Sequence, residues 1–229
     1  RPVRGELISC FITPSSEKSY TYPEELKAEI EEHFGPFLFD VVFRTEDRSE
    51  VLKEIYQMTE YHFRVVDYLL DRQDWSLFWL VEIGVDRMHH AFWKFMDKNH
   101  HLYQPGNSFE SAIYDYYQFL DEKIGQLLKK IDQNTAVLVV SDHGAKGMKG
   151  AFCVNDWLIE QGDLVISEPP VRGQSVDNLK IDWKRTRAWG WGGYYARIFL
   201  NVEGREPQGI IKPDDYETVR DELASRLKA

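Results

Sequence analysis

Two short apolar runs, separated by a long stretch with helical periodicity, constrain the fold of this chain more than any other feature. Residues 77–81 read LFWLV and residues 135–140 read TAVLVV. Continuous apolar runs of this length are expected for strands that are buried on both faces of a sheet. Between them the sequence predicts a helix over roughly residues 108–131, and this order of elements is typical of parallel sheets. The sequence therefore predicts an α/β fold, a three-layer sandwich with a mostly parallel central sheet.

Local patterns predict the other elements. Apolar residues recur at helical spacing from Arg48 to Arg72, which indicates a long amphipathic helix. The remaining predicted elements are a strand at 8–12, helices at 23–34, 155–159 and 216–227, and a strand at 196–201. Residues 1–46 are rich in loops, so we expect them to form a small cap or insert. Residues 47–229 then form the main domain.

Composition excludes several classes of protein. The formal net charge of the 229 residues is -10, and an acidic chain repels nucleic-acid backbones, so no nucleic-acid polymer is expected as a partner. Cys10 and Cys153 are too far apart in sequence to form a thiolate metal motif. No apolar run is long enough to span a bilayer, so we predict a cytoplasmic protein without a membrane partner. A targeting segment upstream of Arg1 would change this prediction.

Metal-binding residue types follow both apolar runs. The first run is followed by Asp86, His89 and His90, and the second by Asp142 and His143. Ligands of open α/β folds gather at the carboxyl ends of parallel strands, where these residues are expected to lie. Carboxylate oxygen and imidazole nitrogen suit Zn or Mn better than Ca. The alternative is structural, with the aspartates capping helices and the histidines on the surface.

Several stretches resemble a known family. The sequence SDHG after a valine-rich run resembles the alkaline phosphatase superfamily, and especially its nucleotide pyrophosphatase/phosphodiesterase branch. Asp86, followed four residues later by His90, is similar to the other metal motif of that branch. A closer likeness is to the predicted phosphohydrolase/phosphomutase group of the superfamily. The stretches that carry this closer likeness are distributed over nearly the whole chain. They are residues 8–15, 22–26, 86–93, 116–125 and 192–201.

The resemblance implies a site with two divalent metal ions, Zn or Mn. Asp142 and His143 would bind the ion that also contacts the nucleophile, and Asp86 and His90 would bind the second ion. His89 is expected to act on the substrate side, because neighbouring side chains on a helix diverge and two adjacent histidines do not reach one ion.

The chain also departs from the family pattern. Nothing before Asp86 resembles the family's nucleophile segment, so the catalytic residue is not identified and is expected upstream, with the remaining ligands. The family's third histidine would fall near residues 189–193, and no histidine follows His143. The resemblance therefore implies that residues 47–229 are the C-terminal part of an alkaline phosphatase-like catalytic domain whose sheet is incomplete at the N-terminus.

Four further residues are candidates for substrate binding. Lys146 and Lys149 follow the second Asp-His pair and are candidates for phosphate contacts, or else solvated loop lysines. Trp191 and Tyr194 belong to a glycine-flanked aromatic cluster that either stacks on a base or sugar, or packs beside the sheet.

The favoured function is metal-dependent hydrolysis of a small-molecule phosphate ester by two-step phosphoryl transfer, with phosphodiesters or nucleotides slightly ahead of monoesters. One alternative is a phosphomutase that acts on a sugar phosphate or phosphoglycerate. Another is a non-catalytic fragment or degenerate relative that acts as a binding module. The chain by itself is expected to be inactive, because its sites lack ligands, and to self-associate through exposed apolar surface.

Overall fold

The structure is a computed structural model that describes residues 4–9, 11–72, 74–171, 173–192 and 195–228. The chain divides into two compact units, residues 1–149 and residues 150–229. No helix among the described residues has both the length and the apolar composition needed to cross a membrane. The expected boundary between a cap and a main domain at residue 46 stays a prediction.

The described residues of the first unit form a two-stranded antiparallel sheet and four helices. Strand β1 pairs with β2 so that Leu7 lies opposite Tyr22. The predicted helices at 23–34, 48–72 and 108–131 are confirmed as α1, α2 and α4, while α3 adds a helix over the first Asp-His motif. The elements are β1 (Leu7–Ile8), β2 (Thr21–Tyr22), α1 (Glu25–Phe34), α2 (Arg48–Leu70), α3 (Gly84–Met96) and α4 (Ala112–Leu128).

Helix α2 organises this unit. It begins after Asp47, whose side chain accepts a hydrogen bond from the Glu50 backbone N–H at 3.0 Å and so satisfies one free donor of the first turn. One face of α2 packs against α3 and α4, and another packs against α1. The buried residues shared by α2, α3 and α4 include Val51, Ile55, Met88, Phe92 and Tyr116. The position of α3 is therefore fixed by a packed apolar core.

The second unit is built around a β-hairpin. It contains α5 (Val154–Glu160), β3 (Ala188–Trp191), β4 (Arg197–Leu200) and α6 (Tyr216–Lys228), and the last three predicted elements are thereby confirmed. Strands β3 and β4 are antiparallel, with Ala188 opposite Leu200. The Asn155 side chain bonds the backbone of Gly190 on both sides, at 2.7 and 3.0 Å, which ties α5 to β3.

The two apolar runs differ from the prediction. Residues 77–83 and 135–140 have no regular secondary structure, and both sheets of the described chain are two-stranded and antiparallel. Leu138 is 86% exposed, and Val139 and Val140 are each 78% exposed, where burial on both faces was expected. Strands need a partner for their backbone N–H and C=O groups. No described segment supplies such a partner to residues 136–140. The α/β content is thus present, but the parallel central sheet is not shown.

Candidate metal centre

The first Asp-His pair lies on one face of α3. Asp86 and His90 are one helical turn apart, and Asp86 Oδ1 lies 3.4 Å from His90 Nε2. Asp86 sits in the first turn, where the partial positive charge of the helix N-terminus favours a carboxylate. Both side chains remain partly accessible to solvent. The structure thus brings an oxygen and a nitrogen ligand to one accessible point.

Arg87, which lies between Asp86 and His90 in the sequence, is buried and holds the Asp86 carboxylate. Its Nε and Nη2 donate to the two carboxylate oxygens of Asp40, each at 2.6 Å, and its Nη1 donates to Asp86 Oδ2 at 2.6 Å. The guanidinium carbon lies 4.6 Å from the ring centroid of Phe43 and 5.3 Å from that of Phe11. These contacts leave Asp86 Oδ1 facing His90.

The start of α3 is held by a second polar network. Glu82 Oε1 accepts hydrogen bonds from the Gly84 backbone N–H at 2.8 Å and from the Thr59 hydroxyl at 3.1 Å. A side chain does not fit at Gly84, because an added Cβ would lie 1.8 Å from the Tyr116 hydroxyl. Glu82 therefore acts as a cap for α3 although it lies outside the helix.

His62 on α2 completes this network. Its Nδ1 lies 3.2 Å from Glu82 Oε2 and its Nε2 lies 2.5 Å from the Leu38 carbonyl oxygen, and both partners are acceptors. Burial opposes a charge on His62, but the hydrogen bond and charge of Glu82 and the bond to Leu38 outweigh it and raise the pKa of His62. The ring is therefore favoured as an imidazolium that donates on both sides.

His89 diverges from His90 toward α4. Its Nε2 lies 3.3 Å from the Tyr117 hydroxyl oxygen, and its ring meets that of Trp93 edge-on. Burial is the main cause that lowers the pKa of His89. That His89 and His90 do not share one ion, and that His89 acts toward substrate, both stay predictions.

The second Asp-His pair lies on an exposed loop. The His143 backbone N–H donates to Asp142 Oδ1 at 3.0 Å, and His143 Nδ1 lies 2.9 Å from the Gly144 carbonyl oxygen. The bond to Gly144 and the charge of Asp142 raise the pKa of His143, and the charge of Asp86 also contributes. His143 in turn helps to lower the pKa of His89. The loop also lies against the C-terminal part of α3, since a Cβ added at Gly147 would lie 3.2 Å from Trp93 Nε1 and 3.0 Å from Asp97 Oδ2.

Comparison with known proteins identifies the family. The family model described as type I phosphodiesterase / nucleotide pyrophosphatase matches residues 6–229. The chain belongs to this family. No curated protein and no solved structure matches it. Membership confirms the resemblance drawn from the sequence motifs, implies an alkaline phosphatase-like fold and indicates an enzyme that hydrolyses phosphate esters.

Members of this phosphodiesterase family generally use divalent metals such as Zn, and the residues present fit such a site in part. Each Asp-His pair offers one carboxylate and one imidazole, the ligand types that Zn and Mn accept. Within the described ranges, no group of three or more His, Cys, Asp or Glu side chains is close enough to hold an ion. Each pair by itself therefore falls short of a complete metal site, which needs further ligands.

The other predicted substrate residues lie in different surroundings. Lys146 and Lys149 are exposed on the loop that follows His143. Trp191 is the last residue of β3, in the second unit, and about half of it is exposed. Tyr194 lies outside the described residues. No contact in the described chain assigns any of these residues to a ligand.

Sequence reasoning missed Asp40, Glu82 and a neighbouring cavity. The cavity has a volume of about 500 Å³ and is lined by residues 11–16 and 37–40, so that Asp40 belongs both to its wall and to the Arg87 ion pair. Arg87 directly follows Asp86 in a stretch that carries the family resemblance. Its position next to Asp86 could have marked it as a residue of the site. Asp40 stands alone in a loop, and nothing in its local sequence marks it.

Proposed function

We propose that this protein hydrolyses phosphate esters with two divalent ions, Zn or Mn, one held by Asp86 and His90 and the other by Asp142 and His143. The observation that carries the proposal is that the loop after His143 lies against α3, the helix that bears Asp86 and His90, since a Cβ added at Gly147 would lie 3.2 Å from Trp93 Nε1. The ligands of a two-metal site must lie close together, because the ions are only roughly 4 Å apart. Membership of a phosphodiesterase family supports the same chemistry.

The local geometry prepares each ligand for a cation. Because His143 Nδ1 points at a carbonyl oxygen, it must carry the proton, and in the neutral ring this leaves Nε2, which lies 3.5 Å from Asp142 Oδ2, as the nitrogen with a lone pair for an ion. Asp86 keeps Oδ1 directed toward His90 Nε2. The phosphoryl group is anionic and needs concentrated positive charge beside it. Because the chain is acidic overall, bound divalent ions would supply this charge.

The substrate we propose is a small phosphodiester or nucleotide. Lys146 and Lys149 are placed to contact phosphate because they are exposed within a few residues of His143. We assign His89 to the substrate side, as it lies beside His90 but turns toward Tyr117. Trp191 and Tyr194 are proposed to contact the base or sugar, on the strength of their residue types alone.

We further propose that the nucleophile and the remaining ligands lie upstream of Arg1, in a sheet that residues 77–83 and 135–140 complete. The exposure of these apolar runs supports this, since Leu138, Val139 and Val140 would be covered by neighbouring strands and helices. Residues 1–229 alone would then be inactive and would self-associate through this surface. In this proposal residues 1–46 are a cap, and the protein is cytoplasmic.

One observation favours a second candidate, a non-catalytic binding module. The described residues contain no cluster of three metal-ligand side chains, and Asp142 and His143 are largely exposed. A chain that kept the family fold but lost ligands would show this pattern. Metal binding and turnover separate the two candidates.

The test measures turnover of an aryl phosphodiester by the full-length protein with Mn²⁺ or Zn²⁺, before and after chelation. We expect chelation, Asp142→Asn and His143→Ala to abolish turnover. Asp121→Asn and His101→Ala alter exposed residues of the same unit and serve as matched controls that keep wild-type turnover. Metal-independent turnover, or full activity of His143→Ala, would overturn the proposal. Metal binding without turnover would favour the binding module.

A further inference from the structure

We infer that Asp40 and Arg87 form a positioning pair that prepares Asp86 to receive a metal ion, an inference that rests on the proposed function. Arg87 is buried, and its five N–H groups form a rigid fork that suits two carboxylates at once. It uses this fork on both Asp40 oxygens and on one oxygen of Asp86. Asp40 lies 47 residues before Arg87, so the contact is made by the fold and not by the helix.

Arg87 fixes the orientation of the Asp86 carboxylate. A carboxylate on a helix surface rotates freely unless one oxygen is held, and ligand orientation controls metal affinity. Arg87 Nη1 occupies Asp86 Oδ2 at 2.6 Å, which leaves Oδ1 for the side of His90. Adjacent helix side chains ordinarily diverge. Arg87 reaches Asp86 because Asp40 holds the other edge of the guanidinium.

Asp40 and Arg87 also determine the net charge beside Asp86. If Arg87 paired with Asp86 alone, the two charges would cancel, and the site would lose its attraction for a cation. Asp40 supplies a second carboxylate, so one guanidinium faces two carboxylates and a net negative charge remains. Asp40 accepts two hydrogen bonds from Arg87 and Asp86 accepts one, so most of the positive charge of the guanidinium is paired with Asp40. Asp86 therefore keeps negative charge for the ion.

The residues around Asp40 make further contacts that hold the same arrangement. Phe43 packs against the Arg87 guanidinium, and its ring centroid also lies 5.4 Å from that of His90. The carbonyl of Leu38 binds His62, which holds Glu82 at the start of α3. Residues 38–43 thus contact α3 through Asp40 and Phe43 and contact α2 through Leu38, and Asp40 is the contact that acts on Asp86, through Arg87.

The experiment measures Mn²⁺ binding to the protein by electron paramagnetic resonance, which detects weak sites, together with thermal unfolding without metal. We expect Asp40→Asn to weaken Mn²⁺ binding about 10- to 100-fold, the size of effect seen when partners of metal ligands are removed. Arg87→Lys should act in the same direction, because an ammonium group does not bridge two carboxylates in this geometry. Asp40→Glu keeps the charge and should restore part of the affinity.

The control is Glu29→Gln, which alters a carboxylate as exposed as that of Asp40, paired at 2.7 Å with the more exposed Arg72 of the same unit. It should lower the unfolding temperature no more than Asp40→Asn does and leave Mn²⁺ binding unchanged. Unchanged or tighter Mn²⁺ binding by Asp40→Asn would overturn the inference while leaving the proposed function intact. No Mn²⁺ binding by the wild-type protein would overturn the proposed metal site and, with it, the inference.

Discussion

The two Asp-His pairs have the same residue types but different support. Asp86 and His90 project from a helix that is packed between α2 and α4, and Asp86 is held by a buried arginine. Asp142 and His143 lie on a loop, where 87% of the Asp142 side chain is exposed and only local bonds hold the ring of His143. The difference shows that a packed helix orders the first Asp-His pair within this unit, whereas the second pair is held by local contacts on an exposed loop.

The largest expected effect is on turnover. Loss of a residue from either Asp-His pair should lower it equally, although one pair lies on a packed helix and the other on a loop. Replacing Asp86 or His143 with Ala in the full-length protein is expected to lower kcat/KM at least about 1000-fold, because each removes a ligand worth several kcal/mol in the transition state. Steady-state hydrolysis of an aryl phosphodiester measures this. Lys94→Ala, on α3, is the control. A modest loss at one pair alone would mean that a single ion suffices.

The next effect concerns the packing that supports the first pair. Gly84→Ala places a Cβ 1.8 Å from the Tyr116 hydroxyl oxygen, so α3 must shift, and we expect destabilisation of about 1–3 kcal/mol. Gly125→Ala on α4 meets no atom within 4 Å and should stabilise the protein by about 0.5–1 kcal/mol. Urea unfolding of both variants measures the contrast. Equal stability of the two would show that α3 is loosely held.

Sequence reasoning succeeded where the cause of the structure is local. The helical spacing of Val51 and Ile55 depends only on neighbouring residues, and the helix it predicts is present. The apolar run around Leu138 is equally clear, but a strand also needs a partner whose position no local pattern encodes. The same limit hid Asp40, whose partner Arg87 is 47 residues away. The metal-ligand roles of the two Asp-His pairs stay predictions, and the side chains that hold Asp86 were not predictable from local sequence.

A smaller effect compares the two aspartates in the absence of metal. Asp86→Asn removes the charge from a bond to the buried Arg87, and we expect it to lower the free energy of unfolding by about 1–2 kcal/mol. Asp142→Asn alters an exposed side chain and should change stability by less than about 0.5 kcal/mol. Thermal unfolding with a chelator present measures both. A larger effect at Asp142 would show that the loop is held by contacts beyond its own residues.

The smallest effect tests the imidazolium beneath α3. Glu82, the charge of Asp40 and the Leu38 carbonyl raise the pKa of His62 against the effect of burial, so the folded state binds this proton more tightly than the unfolded state. The resulting stabilisation is complete below about pH 6.5, the ordinary pKa, and is lost as the pH rises through the folded-state pKa. The slope of this stabilisation against pH cannot exceed about 1.4 kcal/mol per pH unit for one proton.

Unfolding free energies from pH 6 to pH 9 should therefore fall less steeply for His62→Gln than for the wild type. His101→Gln, an exposed histidine of the same unit, should keep the wild-type slope. Identical slopes for His62→Gln and the wild type would mean that His62 is neutral, in which case Glu82 must hold the start of α3 without a charged partner.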